Sequence, residues 1–471
     1  MLGPWNTWIT AAPYFQTRLA GSPFATSFQS YIAIAFMATN LTSLLAMLRF
    51  QHKIDTSARV VGGFVLSAAV FLLAAWMPQW TSLDASAYFG ISLVLIAASS
   101  VSSALLGGLI GYASAFPPVF VAAISSGQGM AGVVPSVSQL LLLGMSPTGE
   151  GTGGPQRATP RFSAIMQAYF SISVVISVVS LGGFVYLLRG GAGRGASRHD
   201  ADERRGGDAA PDRARGFSSR SRLRSVEDSE EAAAPILSLP SDDDEDDGAP
   251  SATRLDVDLA GDDEAAADAR GTVTLGQILP AVRPCAAAMV LNFAITLGVF
   301  PTLTSFVQST GQLSGVIAPG LFVPVHFLVF NVADLAGKSL PLIPRLASFA
   351  PATLLRATAW RLVFFPLLAL CNITVADRSG AALPRVLPLV FGDAAYLAIL
   401  ALLGLTGGWL GTLLFIAGPA AAGHGRGAAR AAAVRLGGDV MVVALAIGLL
   451  AGSAASFGLR GLVCGCNPFV S

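Results

Sequence analysis

Long apolar runs separated by short polar segments follow one another along most of the chain. Eleven such runs stand out, at 1–17, 28–49, 60–80, 87–112, 117–145, 162–188, 283–306, 317–337, 353–375, 387–416 and 432–458. Each can cross roughly 30 Å of hydrocarbon as a helix, and lipid cannot satisfy the open hydrogen bonds of a non-helical backbone. The pattern predicts an all-α polytopic membrane protein with 11 transmembrane helices, divided six plus five.

Charged residues are concentrated between the sixth and seventh runs. Residues 190–275 hold 21 of the 28 acidic and 11 of the 29 basic residues, and they contain few aromatic residues. Such a segment cannot bury a core. We therefore predict a disordered charged cytoplasmic loop at 190–275, between an N-terminal six-helix bundle, 1–189, and a C-terminal five-helix bundle, 276–471. A solvated linker is its expected role, and phosphorylation of serines beside its acids is the alternative.

Composition agrees with a membrane protein, since 53% of the residues are hydrophobic, 12% are charged and the mean hydropathy is +0.64. Lys and Arg near the ends of the runs indicate the orientation. With a cytoplasmic N-terminus, eleven of these basic residues fall on the cytoplasmic side and six on the other. The cytoplasmic orientation then explains the Arg-rich start of the loop, because Lys and Arg are enriched in cytoplasmic segments next to membrane helices. Because no aromatic residues are interleaved with it, we expect no nucleic-acid partner.

Candidate catalytic groups are scattered. The four histidines lie on separate segments, and the acids inside the apolar runs lie on one run each: His52, His199, His326 and His424, with Asp334, Asp393 and Asp439. No metalloprotease or nucleophile-elbow motif is present. We expect no enzymatic activity, no metal site and no cofactor.

One apolar run contains the stretch FNVADLAGKS, which places a carboxylate, Asp334, four residues before an ammonium, Lys338. On a helix the two share one face and can form an ion pair. Ionisable groups within a membrane are costly and usually face a bundle interior or a wet cavity. Asp334 is therefore expected to accept hydrogen bonds from a hydroxyl-rich solute, with Lys338 restraining it. The alternative is that Lys338 snorkels at the end of its helix, with Asp334 as its partner.

Small residues predict close helix packing in two places. The stretch SSGQGMAGVVPS contains Gly127, Gly129 and Gly132, and GLLAGSAAS repeats small residues at Gly448 and Gly452. Such spacing lets membrane helices approach backbone to backbone. An amide in the first stretch, Gln128, is exceptional, since it needs a polar partner.

Several motifs, in order, resemble those of the equilibrative nucleoside transporters over nearly the whole chain apart from the charged loop. GPWNTWITAAPYFQTRL is similar to the first-helix signature of that family, and ISSGQGMAGVVPSV to its fifth-helix motif. GVFP resembles the seventh-helix Phe-Pro, FNVADLAGKSL the eighth-helix motif, and RLVFFPLLALCNI the ninth-helix Arg and Pro with Cys-Asn.

The resemblance implies facilitated, sodium-independent transport of nucleosides, and in some members of nucleobases, by alternating access. The implied fold is an eleven-helix, major-facilitator-like bundle in which the first six helices rock against the last five. The implied partners are a nucleoside substrate and the lipid bilayer. We expect a monomer, in the plasma membrane rather than a vacuolar or other endomembrane.

The resemblance also implies roles for individual residues. The implied substrate-binding residues are Trp5, Ile9, Leu106, Phe300, Asn331, Asp334 and Lys338. The implied helix-packing and gating residues are Gly127, Gln128, Gly132, Pro301, Arg59 and Arg361. Among these, Asp334 would accept hydrogen bonds from ribose hydroxyls, Pro301 would bend the seventh helix, and Arg59 would make a gate contact.

Three features depart from the family pattern. Lys338 stands where the family usually has Arg, and an ammonium cannot reproduce a guanidinium fork. Leu106 stands where several members carry a Gln that contacts the base. Only Met1, Leu2 and Gly3 precede the first-helix signature, so we expect a short first helix or an incomplete sequence.

Other functions are compatible with the same residues. A proton-coupled nucleoside or organic-cation transporter of the same fold would use titration of Asp334. A channel or non-transporting receptor would not show saturable uptake with trans-stimulation. A membrane scaffold would depend on the charged loop, and deletion of residues 195–270 would then abolish its function.

Overall fold

The computed structural model of the chain describes residues 2–22, 24, 28–50, 56–114, 116–144, 160–206, 273–301, 303–374, 387–423 and 427–464. Helices make up most of these residues, and the β-pairing within them is a single antiparallel bridge between Val307 and Ile373. The predicted all-α class is confirmed.

The described residues before the charged segment form seven helices: α1 Leu2–Thr10, α2 Ala12–Arg18, α3 Phe28–Phe50, α4 Thr56–Trp76, α5 Ala85–Ala113, α6 Pro118–Gly144 and α7 Pro160–Gly206. Together α1 and α2 cover the first predicted run. Pro13 explains the interruption between them, because its nitrogen has no hydrogen to donate to the carbonyl of Ile9.

Six further helices follow in the described residues: α8 Leu275–Val299, α9 Phe322–Ser339, α10 Pro351–Trp360, α11 Phe364–Ala369, α12 Asp393–Ala422 and α13 Gly427–Cys464. A 3-10 turn, Arg361–Val363, joins α10 to α11. Pro366 accounts for this tighter turn, since it cannot donate the α-helical hydrogen bond to Leu362.

Eight helical segments in the described residues are long and apolar enough to cross a membrane: Ser57–Gln79, Ala85–Gly111, Pro118–Leu141, Ser163–Tyr186, Leu275–Val299, Pro351–Ala369, Asp393–Ala422 and Ala429–Ser456. They correspond to the third to seventh and ninth to eleventh predicted runs. The first, second and eighth runs are also helical but are not among these eight. The count of eleven membrane spans therefore stays a prediction.

The chain divides into two compact units: Met1–Phe184 with Asp263–Ser471, and Val185–Asp262. The predicted bundles, 1–189 and 276–471, fall almost entirely in the first unit, and their division into two bundles stays a prediction. In the second unit the structure describes the continuation of α7, which remains helical to Gly206, past the predicted end of the sixth run. The rest of the predicted loop to residue 272 lies outside the described residues.

Aromatic residues and glycines hold the first unit together. Trp8 is fully buried, donates from Nε1 to Ser99 Oγ at 2.8 Å, and packs on the ring of Phe170 at a centroid distance of 5.3 Å. At the other end of the chain, a Cβ on Gly452 of α13 would lie 2.6 Å from the Ala294 carbonyl oxygen of α8. The close packing predicted for the small residues of α13 is confirmed.

Asp393, one of the three acids inside the apolar runs, has a structural role. It begins α12, is 2% exposed, and accepts hydrogen bonds from Ser309 Oγ at 2.6 Å and from the Thr310 backbone nitrogen at 2.7 Å. The carboxylate thereby fixes the loop that follows α8 against the start of α12.

Candidate functional site

Asp334 and Lys338 form the predicted ion pair on α9. Lys338 Nζ donates to Asp334 Oδ2 at 2.6 Å, and the two side chains are 7% and 18% exposed, with Asp334 the more open. A lysine that snorkels would carry its ammonium to the surface, whereas this one is buried. Because a buried charge is stable only when it is paired, the ion pair fixes the Asp334 carboxylate in position.

Glycines of α12 bring this pair against a second helix. A Cβ on Gly408 would overlap with the Asp334 carbonyl oxygen and lie 3.0 Å from Asp334 Oδ1. One turn earlier, a Cβ on Gly404 would lie 2.6 Å from the Phe330 carbonyl oxygen, and on α9 a Cβ on Gly337 would overlap with the Leu405 carbonyl oxygen. The α9 and α12 backbones are therefore in direct contact, which fixes the position of Asp334.

On another side, α9 packs against α6. A Cβ on Gly129 would lie 2.8 Å from Leu335 Cα, and Ser339 Oγ donates to Ser126 Oγ at 3.2 Å. The contact joins a helix from before the charged segment to one from after it. Any movement of these two parts of the chain relative to one another must change this contact.

Two residues of the predicted site, Gly132 of α6 and Asn331 of α9, lie together in this contact between the two helices. Asn331 Nδ2 donates to Ser136 Oγ at 2.9 Å, and a Cβ on Gly132 would overlap with Asn331 Oδ1. The close contact supports the predicted packing role of Gly132, which stays a prediction. Gly127 differs, since a Cβ there would meet no atom of the described residues within 4 Å. The close approach predicted at Gly127 is not found, because Gly127 is exposed on the face of α6 turned away from its neighbours.

Gln128 and Leu106 lie on different helices. Gln128 is half-buried on α6, and no hydrogen-bond partner for its amide is found among the described residues. Leu106 of α5 packs against α4, where a Cβ on Gly63 would lie 3.0 Å from Leu106 Cγ. The contact of Leu106 in this structure is thus with a neighbouring helix.

The predicted cavity residues of α1 are buried. Trp5 is 6% exposed and packs on the ring of Phe36 at a centroid distance of 5.5 Å, while Ile9 is 2% exposed. The same helix reaches α6 nearby, since a Cβ on Gly3 would lie 3.6 Å from Ala131 Cβ.

Phe300 lies at the end of α8 and stacks on α9. Its ring is 3.7 Å from that of Phe330, with 17° between the planes, and this stack is one turn before Asp334. Pro301 does not bend the seventh helix as predicted, because α8 ends at Val299 and Pro301 follows it. Phe300 has extended backbone angles, φ −114° and ψ 131°, as expected for the residue before a proline.

Arg361 binds α8 and α12 to the turn between α10 and α11. It is 3% exposed, and its guanidinium donates to five acceptors. They are Asn292 O at 2.9 Å, Asn292 Oδ1, Thr296 Oγ1 at 3.0 Å, Leu403 O at 2.8 Å and Thr406 Oγ1 at 3.1 Å. All five donors are used. The predicted packing role is therefore supported by contacts, and no donor is left over for a ligand.

Arg59 lies near the start of α4, away from the Asp334 pair. It is 8% exposed, and a Cβ on Gly108 of α5 would overlap with its Nη2. A Cβ on Gly111, one turn later, would overlap with Oδ1 of Asp439 from α13. Arg59 and Asp439 line one small pocket together with Gly108 and Leu44. Charged groups of α4 and α13 are thus gathered around a glycine face of α5.

Several residues of the site were missed by the sequence analysis. Asn6, Ser136, Asn292 and Gly408 all contact residues of the predicted set. The sequence did contain signals that could have identified these residues. Polar side chains inside apolar runs need hydrogen-bond partners, and small residues four positions apart indicate helix crossings. Within the described residues, no group of three His, Cys, Asp or Glu side chains could hold a metal ion.

A bundle of apolar helices that buries an ionisable pair at a helix crossing is typical of a membrane transport protein. A family model described as "Nucleoside transporter" matches residues 91–461. The chain therefore belongs to the nucleoside transporter family. This membership confirms that it is a transporter of the integral membrane class and not an enzyme.

Curated relatives align over nearly the whole chain. The human "Equilibrative nucleoside transporter 2" is 25% identical, with 98% of this chain and 94% of the relative covered. The human "Equilibrative nucleoside transporter 1" is also 25% identical, with 98% of this chain and 94% of the relative covered. The rat "Equilibrative nucleoside transporter 3" is 27% identical, with 96% of this chain and 84% of the relative covered.

Among solved structures, a Major Facilitator Superfamily transporter in the outward conformation superimposes with a TM-score of 0.47. The two are 13% identical, and the match covers 100% of this chain and 93% of the other. A likeness at that TM-score does not decide the arrangement of the helices, so the major-facilitator-like arrangement stays a prediction.

Proposed function

We propose that this protein carries nucleosides across a membrane by facilitated, sodium-independent transport, and that Asp334 binds the ribose hydroxyls. The observation that carries the proposal is the buried Asp334–Lys338 pair at the crossing of α9 with α6 and α12. Family membership supports the substrate class.

The chemistry of the pair suits a ribose ring. An ionised carboxylate accepts hydrogen bonds only, and neighbouring sugar hydroxyls are good donors to it. Lys338 uses one of its three ammonium hydrogens on Asp334 Oδ2, so the other two can be donated to ligand oxygens. The glycine contacts of α12 hold the carboxylate in place before the ligand arrives, which lowers the entropic cost of binding.

The remaining predicted residues fit the proposal in two groups. Trp5, Ile9 and Phe300 supply apolar and aromatic surface on α1 and α8, which is the kind of lining that a small-molecule site uses. Arg59 and Asp439 lie where α4, α5 and α13 approach one another, and a gate at that place would open when those helices separate.

The proposal includes a monomeric carrier in the plasma membrane without a nucleic-acid partner. Size-exclusion chromatography with light scattering tests the first, and localisation of the tagged full-length chain tests the second.

Uptake of radiolabelled uridine and adenosine into proteoliposomes tests the function. The wild type is compared with Asp334→Asn, and with Asp84→Asn as a control on an exposed carboxylate before α5. Uptake by the wild type and Asp84→Asn should be saturable, trans-stimulated and insensitive to a sodium gradient. The loss of charge-assisted hydrogen bonds in Asp334→Asn should lower it about 10- to 100-fold.

Three outcomes contradict the proposal. If folded wild-type protein takes up neither nucleoside, the substrate class is wrong. If uptake occurs without saturation or trans-stimulation, the protein is a channel. If uptake requires a proton gradient when compared at about pH 5.5 and about pH 7.5, the transporter is proton-coupled.

A further inference from the structure

The side-chain amide of Asn331 is held in one orientation by two hydrogen bonds. Asn331 is 5% exposed, and its Nδ2 donates to Ser136 Oγ of α6 at 2.9 Å and to the Phe327 carbonyl oxygen of its own helix at 2.9 Å. Both amide hydrogens are therefore used. The oxygen, Oδ1, is left as an acceptor that points at α6 and not along α9.

A third helix reaches the same place. A Cβ on Gly132 of α6 would overlap with Asn331 Oδ1 and would lie 3.1 Å from Nδ2 of Asn6 on α1. The donor group of Asn6 and the acceptor atom of Asn331 thus lie against the same glycine. The amide of Asn6 is half-buried, and no hydrogen-bond partner for it is found within the described residues.

We propose that Asn6 and Asn331 form a latch, in which Asn6 Nδ2 donates to Asn331 Oδ1 across Gly132. Both atoms lie close to the position of a Cβ on Gly132, so rotation of the Asn6 side chain can bring donor and acceptor within the usual hydrogen-bond distance. The latch joins α1 and α6, which precede the charged segment, to α9, which follows it. Asn6 is a positioning residue, since it acts through Asn331 and the α6–α9 contact.

The latch gives Gly132 a second role beside close packing. A methyl group at this position would occupy the space through which the two amides meet. Buried amides are stable only when their hydrogen bonds are made. A conformation in which α1 and α6 stay close to α9 is therefore stabilised by the latch, and a conformation in which they separate is not.

The transport consequence rests on the proposed function. In a carrier that works by alternating access, net uptake requires the empty carrier to return, whereas exchange between two nucleoside pools does not. A latch that stabilises one empty conformation therefore changes the rate of net uptake more than the rate of exchange. Loss of one neutral hydrogen bond should change the ratio of exchange to net uptake by roughly threefold to tenfold.

The test uses the full-length chain with Asn6→Leu, which has a similar volume but no donor. Its matched control is Asn40→Leu, which removes a buried amide that donates to the Ser100 carbonyl oxygen at 3.3 Å between α3 and α5. We expect Asn6→Leu to change the ratio of exchange to net uptake. Asn40→Leu should lower stability and leave the ratio unchanged, because α3 and α5 both precede the charged segment.

A second measurement needs no nucleoside and separates a failed latch from a failed substrate assignment. The apparent Tm of the detergent-solubilised protein is measured for Asn6→Leu, Asn331→Leu and the double variant. A latch requires non-additive effects, since each single variant already removes the shared hydrogen bond. If Asn331→Leu does not fold, Asn331→Ser replaces it in the cycle.

Additive changes in Tm would overturn the latch. An unchanged flux ratio in Asn6→Leu, in protein that still transports nucleosides, would overturn it as well. If transport is absent from the wild type but the Tm effects are non-additive, the latch stands and the proposed function fails.

Discussion

At the scale of single residues, the chemistry of the site depends on the ammonium that accompanies Asp334. The resemblance to the eighth-helix motif implies that an Arg usually stands at the position of Lys338. A lysine ammonium is a compact charge with three donors, while a guanidinium presents a planar fork of five. The 2.6 Å contact leaves Asp334 Oδ2 engaged by a single donor, so Oδ1 retains its capacity to accept from a ligand.

Substitution of Lys338 should separate the role of its charge from the role of its shape. Lys338→Met leaves the half-buried Asp334 without its hydrogen-bonded counter-charge, so we expect uptake to fall at least 10-fold and the apparent Tm to fall too. Lys338→Arg keeps the charge and should retain uptake within about threefold, with altered affinity. Initial-rate kinetics measure both. Equal losses in the two variants would show that shape, and not charge, decides the function.

Two glycines of α6 should respond differently to the same change. Gly132→Ala places a methyl group against Asn331 and Asn6, and overpacking of this kind costs about 1–3 kcal/mol. Gly127→Ala meets no atom of the described residues within 4 Å and should leave the apparent Tm nearly unchanged. The measurement is thermal unfolding in detergent. A larger loss in Gly127→Ala than in Gly132→Ala would contradict the packing described above.

At the scale of helices, the position of α9 is set by contacts on two sides. Gly404 and Gly408 of α12 bring the backbones together on one side. On the other side, Gly129 of α6 approaches the α9 backbone at Leu335, and Gly132 makes room for the Asn331 side chain. Because lipid offers no hydrophobic driving force between helices, such close van der Waals contact is a main source of stability in a membrane bundle.

Gly408→Ala tests the contact between α9 and α12. The methyl group would overlap with the Asp334 carbonyl oxygen, so the two helices would have to separate beside the ion pair. We expect a destabilisation of about 1–3 kcal/mol and a loss of uptake. Gly90→Ala on α5, where a Cβ meets no described atom within 4 Å, is the control. Wild-type uptake and Tm in Gly408→Ala would contradict the described crossing.

Arg361→Lys tests the clamp that joins α8 to α12. Lysine keeps the charge, but its three donors on one nitrogen cannot reach the separate acceptors on Asn292, Thr296, Leu403 and Thr406. At least two hydrogen bonds to a charged group are lost, each worth about 1.5–3 kcal/mol. The apparent Tm should fall strongly, and Arg356→Lys, on the exposed side of α10, should not change it. An unchanged Tm in Arg361→Lys would show that the clamp is not needed for folding.

At the scale of the whole molecule, transport should depend on the membrane-spanning helices and not on the charged segment, residues 190–275. The proposed site and the latch are built from helices on both sides of that segment.

Deletion of residues 195–270 should therefore leave nucleoside uptake largely intact. Uptake per folded molecule is measured for the deletion variant and the wild type in the same proteoliposome preparation. The control is a variant in which a Gly/Ser linker of the same length replaces the segment. Loss of uptake in the deletion but not in the replacement would show that the length of the connection matters. Loss in both variants would favour the scaffold interpretation.

The sequence alone determined the class of the protein and the location of its unusual chemistry. Apolar runs longer than a membrane is thick must be helical, because each backbone group has to be bonded within its own segment. An acid and a base four residues apart on one helix pair without help from other elements, so Asp334 and Lys338 were found by spacing alone. Family motifs, which are local in sequence, were readable for the same reason.

Only the tertiary structure decided which face of each helix meets which neighbour. The sequence could not distinguish Gly127 from Gly132, supply the five acceptors of Arg361 or bring Asn6 to Asn331. A glycine or an amide carries the same local signal on any face of a helix. Its contact is set by the rotation and crossing of helices far apart in the chain, and this depends on the packing of all of them at once.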